Sequence, residues 1–311
     1  MSTNSPPSID KVAAARWRVS APQTTPWLHE EIATRMLERL QWITAQPKVW
    51  VNWNANRGGE QAHAALLAKY KESESYIQNW PLDSQSIAYG AIKSAANNAT
   101  TASSKNKWSL SAWFKSAPKH HLGVPAEGTA NMLWANMHLH DAHEPLDMLA
   151  QWYKTLAVDG YVMFSCFGPD TLKELRSVYA KLGWPAPSHD FTDMHDWGDM
   201  LLQAGFAQPV MDMERIVLTY ESSQKLIQDL RDLGRNLHPN RFPALRGKLW
   251  KTQLEAALSE HLSDPNENGR LKLTFEIIYG HAIKPEPRVK LSEHSAVSLQ
   301  DMRAMLLGGK R

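Results

Sequence analysis

The chain has 311 residues, 43% of them hydrophobic, enough for the core of one large domain. Its formal net charge of +2 excludes the strong basic field that selects nucleic acid or an anionic membrane. A single cysteine, Cys166, excludes an internal disulfide or a cysteine-based zinc cluster, and its apolar surroundings from Tyr161 to Phe167 predict a buried structural thiol.

The N-terminus, MSTNSPPSIDK, has no apolar leader, and no run approaches about 18 apolar residues, so a cytoplasmic protein is expected. The first element is predicted at Thr25-Pro26, where Thr25 can cap a helix and Pro26 suits its first position. Leu28, Ile32, Met36, Leu37 and Leu40 follow at helical spacing. Lys48 to Trp53 reads as a strand, Asn54 to Gly59 as a turn, and GGEQAHAALLAKY as a second helix. Ser75 to Trp80 is a second strand. Residues 94–107 are small and polar, a loop by composition, and 108–114 are a candidate short helix.

From Thr129 the pattern sharpens. TANMLWANM is a strand, HEPLDMLAQWYKTLA a helix broken at Gly160, and YVMFSCF a buried strand. Thr171 and Glu174 have capping-box spacing at the start of TLKELRSVYAKLG. HDWGDMLLQAGF is a helix with Gly205 just past its end. Val210 to Tyr220 is a strand, 222–234 and 245–262 are helical, and LKLTFEIIYGHAIK is the last strand. The alternation predicts a doubly wound, mostly parallel α/β sheet over residues 1–283, with a helical segment added before the last strand. Residues 84–128 form a poorly patterned insertion and 284–311 a polar tail.

The turn Asn52-Trp53-Asn54-Ala55-Asn56-Arg57-Gly58-Gly59 lies where such folds bind nucleotides. It resembles the D-x-G-x-G-x-G turn of class I S-adenosylmethionine methyltransferases, with Asn52 for the acid and Asn54 and Asn56 for two glycines. The later half carries a stronger likeness: FGPDTLKELR (167–176), DMHDWGDMLLQAGF (193–206), PVMDME (209–214), DLG (232–234) and TFEIIYGHA (274–282) in order. This series resembles the biotin-pathway malonyl-acyl-carrier-protein O-methyltransferases. It is also similar to methyltransferase-like assembly factors of respiratory complex I.

The resemblance implies S-adenosylmethionine-dependent methylation of a carboxylate on an acyl-carrier protein. A carboxylate is already nucleophilic, so such an enzyme positions its reactants and neutralises charge rather than supplying a base. It implies a cofactor site at Asn52, Asn54, Asn56, Gly58, Asn79, Trp80 and Asn136. Asn tolerates the left-handed backbone that glycine supplies there, but each Asn adds a side chain where the cofactor approaches, so binding is expected to be weak or lost. Asn79 stands where an acid should hold the ribose. An indole is expected to fold over the site, Trp80 before Trp53. His138, after the fourth strand, and Arg235 and Arg241, in a basic stretch at 231–251, are the substrate candidates. No metal is expected, because methyl transfer of this kind needs none. The rival reading is a non-catalytic relative that keeps the scaffold to bind a partner.

Overall fold

A computed structural model describes residues 9–79 and 119–287. In chain order the main elements begin with α1 (Lys11–Ser20), α2 (Trp27–Leu40), β1 (Val49–Trp53), α3 (Ala55–Gly58), α4 (Glu60–Lys69) and β2 (Glu74–Gln78). Then come β3 (His120–Leu122), β4 (Ala130–Ala135), α5 (Pro145–Thr155), β5 (Leu156–Phe167), α6 (Lys173–Lys181) and α7 (Met194–Gln203). The fold closes with β6 (Ala207–Tyr220), α8 (Ser223–Leu233), α9 (Lys248–Leu262), β7 (Ser263–Asp264) and β8 (Arg270–Ile283).

The strands form one sheet in the order β3-β2-β1-β4-β5-β8-β6, with β7 paired to β8. β1 to β5 run parallel, and β8 lies antiparallel between β5 and β6. This is the expected doubly wound α/β sheet. The order reverses between β1 and β4, and the crevice beyond the strand ends at such a switch point is where these folds bind ligands.

Both faces of the central strands are covered, so β5 is buried throughout from Gly160 to Phe167. The period of two sends Trp50 to one core with Leu28, Ile32, Met36, Met132 and Phe275, and Val51 and Trp53 to the other with Leu133, Trp152, Phe164 and Trp197. Cys166 is buried in the second core, as expected, and burial pushes its thiol pKa up. Phe164 lies across Gly280 on β8, where an added Cβ would overlap its ring. α2 buries Leu28, Ile32, Ala33, Met36 and Leu40 along one stripe; each large apolar side chain so buried is worth about 1.5–3 kcal/mol. Its outer face is held to the far edge of the sheet by Arg35–Glu214 at 2.7 Å and Arg39–Asp212 at 2.8 Å.

Several expectations change. α1 precedes Thr25, where no element was predicted. Pro26, not Thr25, is the cap of α2, and the Thr25 hydroxyl instead donates to the Asn56 carbonyl at 3.0 Å. Thr171 and Glu174 form no capping box. Thr171 bonds the Glu276 backbone in both directions at 3.0 Å, and Glu174 accepts from the backbone and hydroxyl of Thr274. Both are spent fastening α6 to β8. α5 ends at Thr155, so Gly160 lies in β5 rather than breaking a helix; an added Cβ there would meet the Ala130 carbonyl at 2.8 Å. Gly205, at φ 102°, follows the Ala204 cap of α7 as predicted. The end of the 84–128 insertion is not patternless, because 120–122 form the edge strand β3 beside β2. The helix expected at 108–114, most of the insertion and nearly all of the tail lie outside the described residues.

Candidate functional site

The turn after β1 is built by three neighbours. Asn54 takes the left-handed conformation at φ 66°, and its N–H continues the sheet to the Gln78 carbonyl at 2.6 Å. Asn56 does not share that role: it lies inside the single-turn helix α3. Gly59, at φ 124°, lets α2 close in; a Cβ there would stand 2.8 Å from that of Ala33. The Glu30 carboxylate of α2 accepts from the Glu60 and Ala62 N–H groups at 2.9 Å, holding the positive end of α4.

The Asn side chains are engaged across the site. Asn52 bonds His63 at 2.9 Å, Asn54 bonds His138 at 3.2 Å, and Asn56 donates to Gln23 at 3.1 Å. Asn79 accepts from the Asn56 N–H at 3.1 Å, which braces β2 against the turn. Asn136 gives both amide hydrogens to backbone carbonyls, His29 at 2.8 Å and Gly58 at 2.5 Å, and accepts from Ser165 at 2.5 Å. It therefore ties β4 and β5 to the turn, and both hydrogens of its side-chain amide are used within the protein. Gly58 also packs closely on β4, since an added Cβ would lie 3.1 Å from the Asn136 carbonyl.

Arg57 is the residue that sequence reasoning passed over. Its guanidinium is buried and donates to the carbonyls of Pro22 (2.9 Å), Asp232 (2.9 Å) and Leu233 (3.1 Å). It sits 5.1 Å from the ring of Trp17 on α1, with Arg235 at 4.7 Å from the same ring. Among the described residues Trp17 is thus the indole that borders the small cavity at the turn. Trp53 points into the opposite core, edge-on to Trp152 at 6.0 Å, and Trp80 lies outside the described residues. Only the fourfold apolar spacing Ala13, Ala14, Trp17, Ala21 hinted at α1 in the sequence.

The space left is small. Asn54, Arg57, Trp17, His29, His138 and Asp141 border a cavity of about 30 Å³. That holds about one water, whereas drug-sized ligands occupy pockets of roughly 300–1,000 Å³. The Oδ1 atoms of Asn52, Asn54 and Asn56 are buried without a hydrogen-bond partner. Among the described residues the turn therefore leaves little open space. Burial holds His29 neutral, its pKa pushed down to about 3, and takes His63 and His138 down to about 4.

A second, larger cavity of about 240 Å³ opens beside the first, under α8 and α9, and the two share Asp141 and Leu233. Phe167, Leu175, Phe191, Leu230, Leu258 and Phe275 make its walls apolar. Arg231, Arg235 and Lys251 are exposed and line it, so they stand at its mouth. His140 borders this cavity and His138 the smaller one. Arg241 is not brought to either cavity; it pairs with Asp10 at 2.7 Å and anchors α1.

Curated relatives decide the family. The chain is 35% identical over 275 residues to the malonyl-[acyl-carrier protein] O-methyltransferase of Gallionella capsiferriformans, covering 84% of this chain and 86% of that one. The chain belongs to the malonyl-[acyl-carrier protein] O-methyltransferase family. A shorter stretch, 171 residues, is 42% identical to the enzyme of that name from Laribacter hongkongensis, covering 54% and 56% of the two chains. No family model matches the chain. In fold it is similar to a putative methyltransferase from Bacillus halodurans (TM-score 0.50, 12% identity, 81% and 98% of the two chains). The YcgJ protein from Bacillus subtilis is similar too (TM-score 0.51, 10% identity, 82% and 99%). Among the described residues no helix is long and apolar enough to cross a membrane, and no cluster of three metal-ligating side chains forms.

Proposed function

We propose that this chain is a carboxyl O-methyltransferase of the biotin-pathway type, which esterifies the free carboxylate of an acyl chain borne by an acyl-carrier protein. Its relatives' names support the reaction, and the apolar cavity with a cationic mouth under α8 and α9 supports the substrate class. The carboxylate oxygen takes up a methyl group and no proton needs moving, so the protein's task is placement. Arg231, Arg235 and Lys251 attract an acidic carrier, while the neutral His138 and His140 offer hydrogen bonds without adding charge. The lone thiol, Cys166, suits a reducing cytoplasm.

The methyl donor of this reading is S-adenosylmethionine, bound weakly. Asn52 and Asn79 replace charged acceptors, and a charge-assisted hydrogen bond is worth about 1.5–3 kcal/mol, or roughly 10- to 150-fold. The expected dissociation constant is at least about tenfold above that of relatives with an intact turn. The relatives do not favour the rival reading, a scaffold that binds its partner without methylating it, although the turn is filled by its own Asn and Arg side chains. Calorimetric titration with S-adenosylmethionine and S-adenosylhomocysteine separates the two. Weak binding together with ester formation on malonyl-acyl-carrier protein supports the enzyme; no binding at millimolar ligand and no ester leave the scaffold.

A further inference from the structure

Three large apolar side chains stand in solvent on one short segment between α8 and α9. Phe242 is 42% exposed, Leu245 100%, and Leu249, in the first turn of α9, 74%. A single exposed leucine means little, but three such side chains within one short segment form a patch. The patch has a firm base. Arg246 lies over the rings of Phe242 at 4.2 Å, Trp250 at 4.6 Å and Trp184 at 5.4 Å, and the two indoles pack at 5.5 Å. Trp184 and Trp250 in turn pack against the first core. The leucines are therefore held outward from an aromatic base.

The charge around them has one sign. Residues 231–254 carry Arg231, Arg235, Arg241, Arg246, Lys248 and Lys251 against one carboxylate, Asp232. Arg241 is paired with Asp10, and Lys251 has a longer pair with Glu255 at 3.5 Å. Arg231, Arg235, Lys248 and Lys251 are exposed. Projecting apolar tips, indoles at their base and a ring of cations are the parts of a surface that lies on an anionic bilayer. A second copy of the chain fits this face badly, because a two-fold contact sets like cations against one another. A protein partner would need a socket for each leucine, whereas a bilayer accepts any projecting apolar tip.

We propose that this face docks the protein on an anionic lipid surface, with Leu245 and Leu249 entering the acyl boundary and Lys248, Lys251, Arg231 and Arg235 meeting the headgroups. The contact is peripheral, since among the described residues no helix is long and apolar enough to cross a membrane. Lipid docking adds to the reaction proposed above and does not depend on it.

The test sediments the intact chain with vesicles of phosphatidylcholine alone and of phosphatidylcholine mixed equally with phosphatidylglycerol. The chain should bind the mixed vesicles, bind the neutral ones far less, and bind more weakly in about 0.5 M salt, where charges are screened within about 5 Å. Leu245→Ser with Leu249→Ser should lower partitioning at least about tenfold, and Lys248→Gln roughly fivefold. All three side chains are exposed, so thermal unfolding should not move. Trp42→Ser removes an exposed ring from the segment after α2 and should bind like the wild type. No binding to the mixed vesicles, equal binding to neutral and mixed vesicles, or a leucine variant that binds like the wild type would overturn the proposal. So would a loss in Trp42→Ser as large as in the leucine variant, which would mean unspecific adsorption. Carrier-protein binding that vanishes in the leucine variant, with no vesicle binding by the wild type, would give the face to a protein partner and overturn lipid docking.

Discussion

Asn54 shows how one substitution keeps a backbone and changes a site. Its φ of 66° is the conformation a glycine would take, and its amide spans to His138. An alanine in left-handed backbone costs about 1–2 kcal/mol, and the lost hydrogen bond adds about 1. Asn54→Ala should therefore cost about 2–3 kcal/mol in urea unfolding, and Asn54→Gly at least about 1 kcal/mol less. Equal losses would mean that the conformation at this position carries no strain. The buried histidines give the fold an acid limit. His29, His63 and His138 have pKa values pushed down to about 3, 4 and 4 in the folded chain. The unfolded chain protonates these rings below about pH 6.5, and the folded chain does not. Their contribution is thus complete above that pH and is lost as pH falls from 6.5 toward 4, each ring costing about 1.4 kcal/mol per pH unit. Urea midpoints measured at pH 7, 6 and 5 should drop steeply, and His63→Gln should flatten the slope. That Asn52, Asn54, Asn56 and Asn79 gather at one turn was legible in the sequence, because strand ends and turn residues are local signals. That Asn136 spends its amide on His29 and Gly58 was not, since its partners lie 107 and 78 residues away.

Helix α1 is the element that alters the reading of the cleft. It is short, with three buried residues, and it is held from outside: Asp10 caps it and also pairs with Arg241, and the Asp10 N–H donates to the Leu237 carbonyl at 2.9 Å. Its weak periodicity made it invisible beside α2, whose apolar stripe is continuous. Thr25 and Glu174 illustrate the same limit, because residues with capping chemistry were taken by distant partners at the turn and on β8. Trp17 fills the space between Arg57 and Arg235, and removing a buried Trp costs about 3–5 kcal/mol. Trp17→Ala should lower stability by about that amount, yet tighten S-adenosylmethionine binding by enlarging the cavity at the turn. Affinity that falls together with stability would show that α1 builds the cofactor site rather than blocking it.

Charge and topology act together over the entire fold. The net charge of +2 is too small to steer an acidic partner, so any attraction must come from a local patch. Arg231→Glu with Lys251→Glu should slow association with a carrier protein, and wild-type binding should weaken between 0.05 and about 0.5 M salt as screening shortens to below about 10 Å. Arg241→Glu should leave association unchanged and lower the unfolding temperature instead, because Arg241 holds Asp10 of α1. A carrier protein that binds equally at all salt concentrations would remove the patch from the argument.

Periodicity and turn chemistry alone determined the order of strands and helices from Thr129 onward, and the run of motifs determined the family. These are local properties, written in spacings of two and near four. Which residues close the cleft was decided by packing. α1, Arg57 and the carbonyls of Asp232 and Leu233 meet only because α8 folds back over the strand ends, 175 residues along the chain from Arg57. The large cavity arises the same way, from α6, α8 and α9 covering one end of the sheet. No window of sequence holds both walls of a cavity, so its volume exists only in three dimensions.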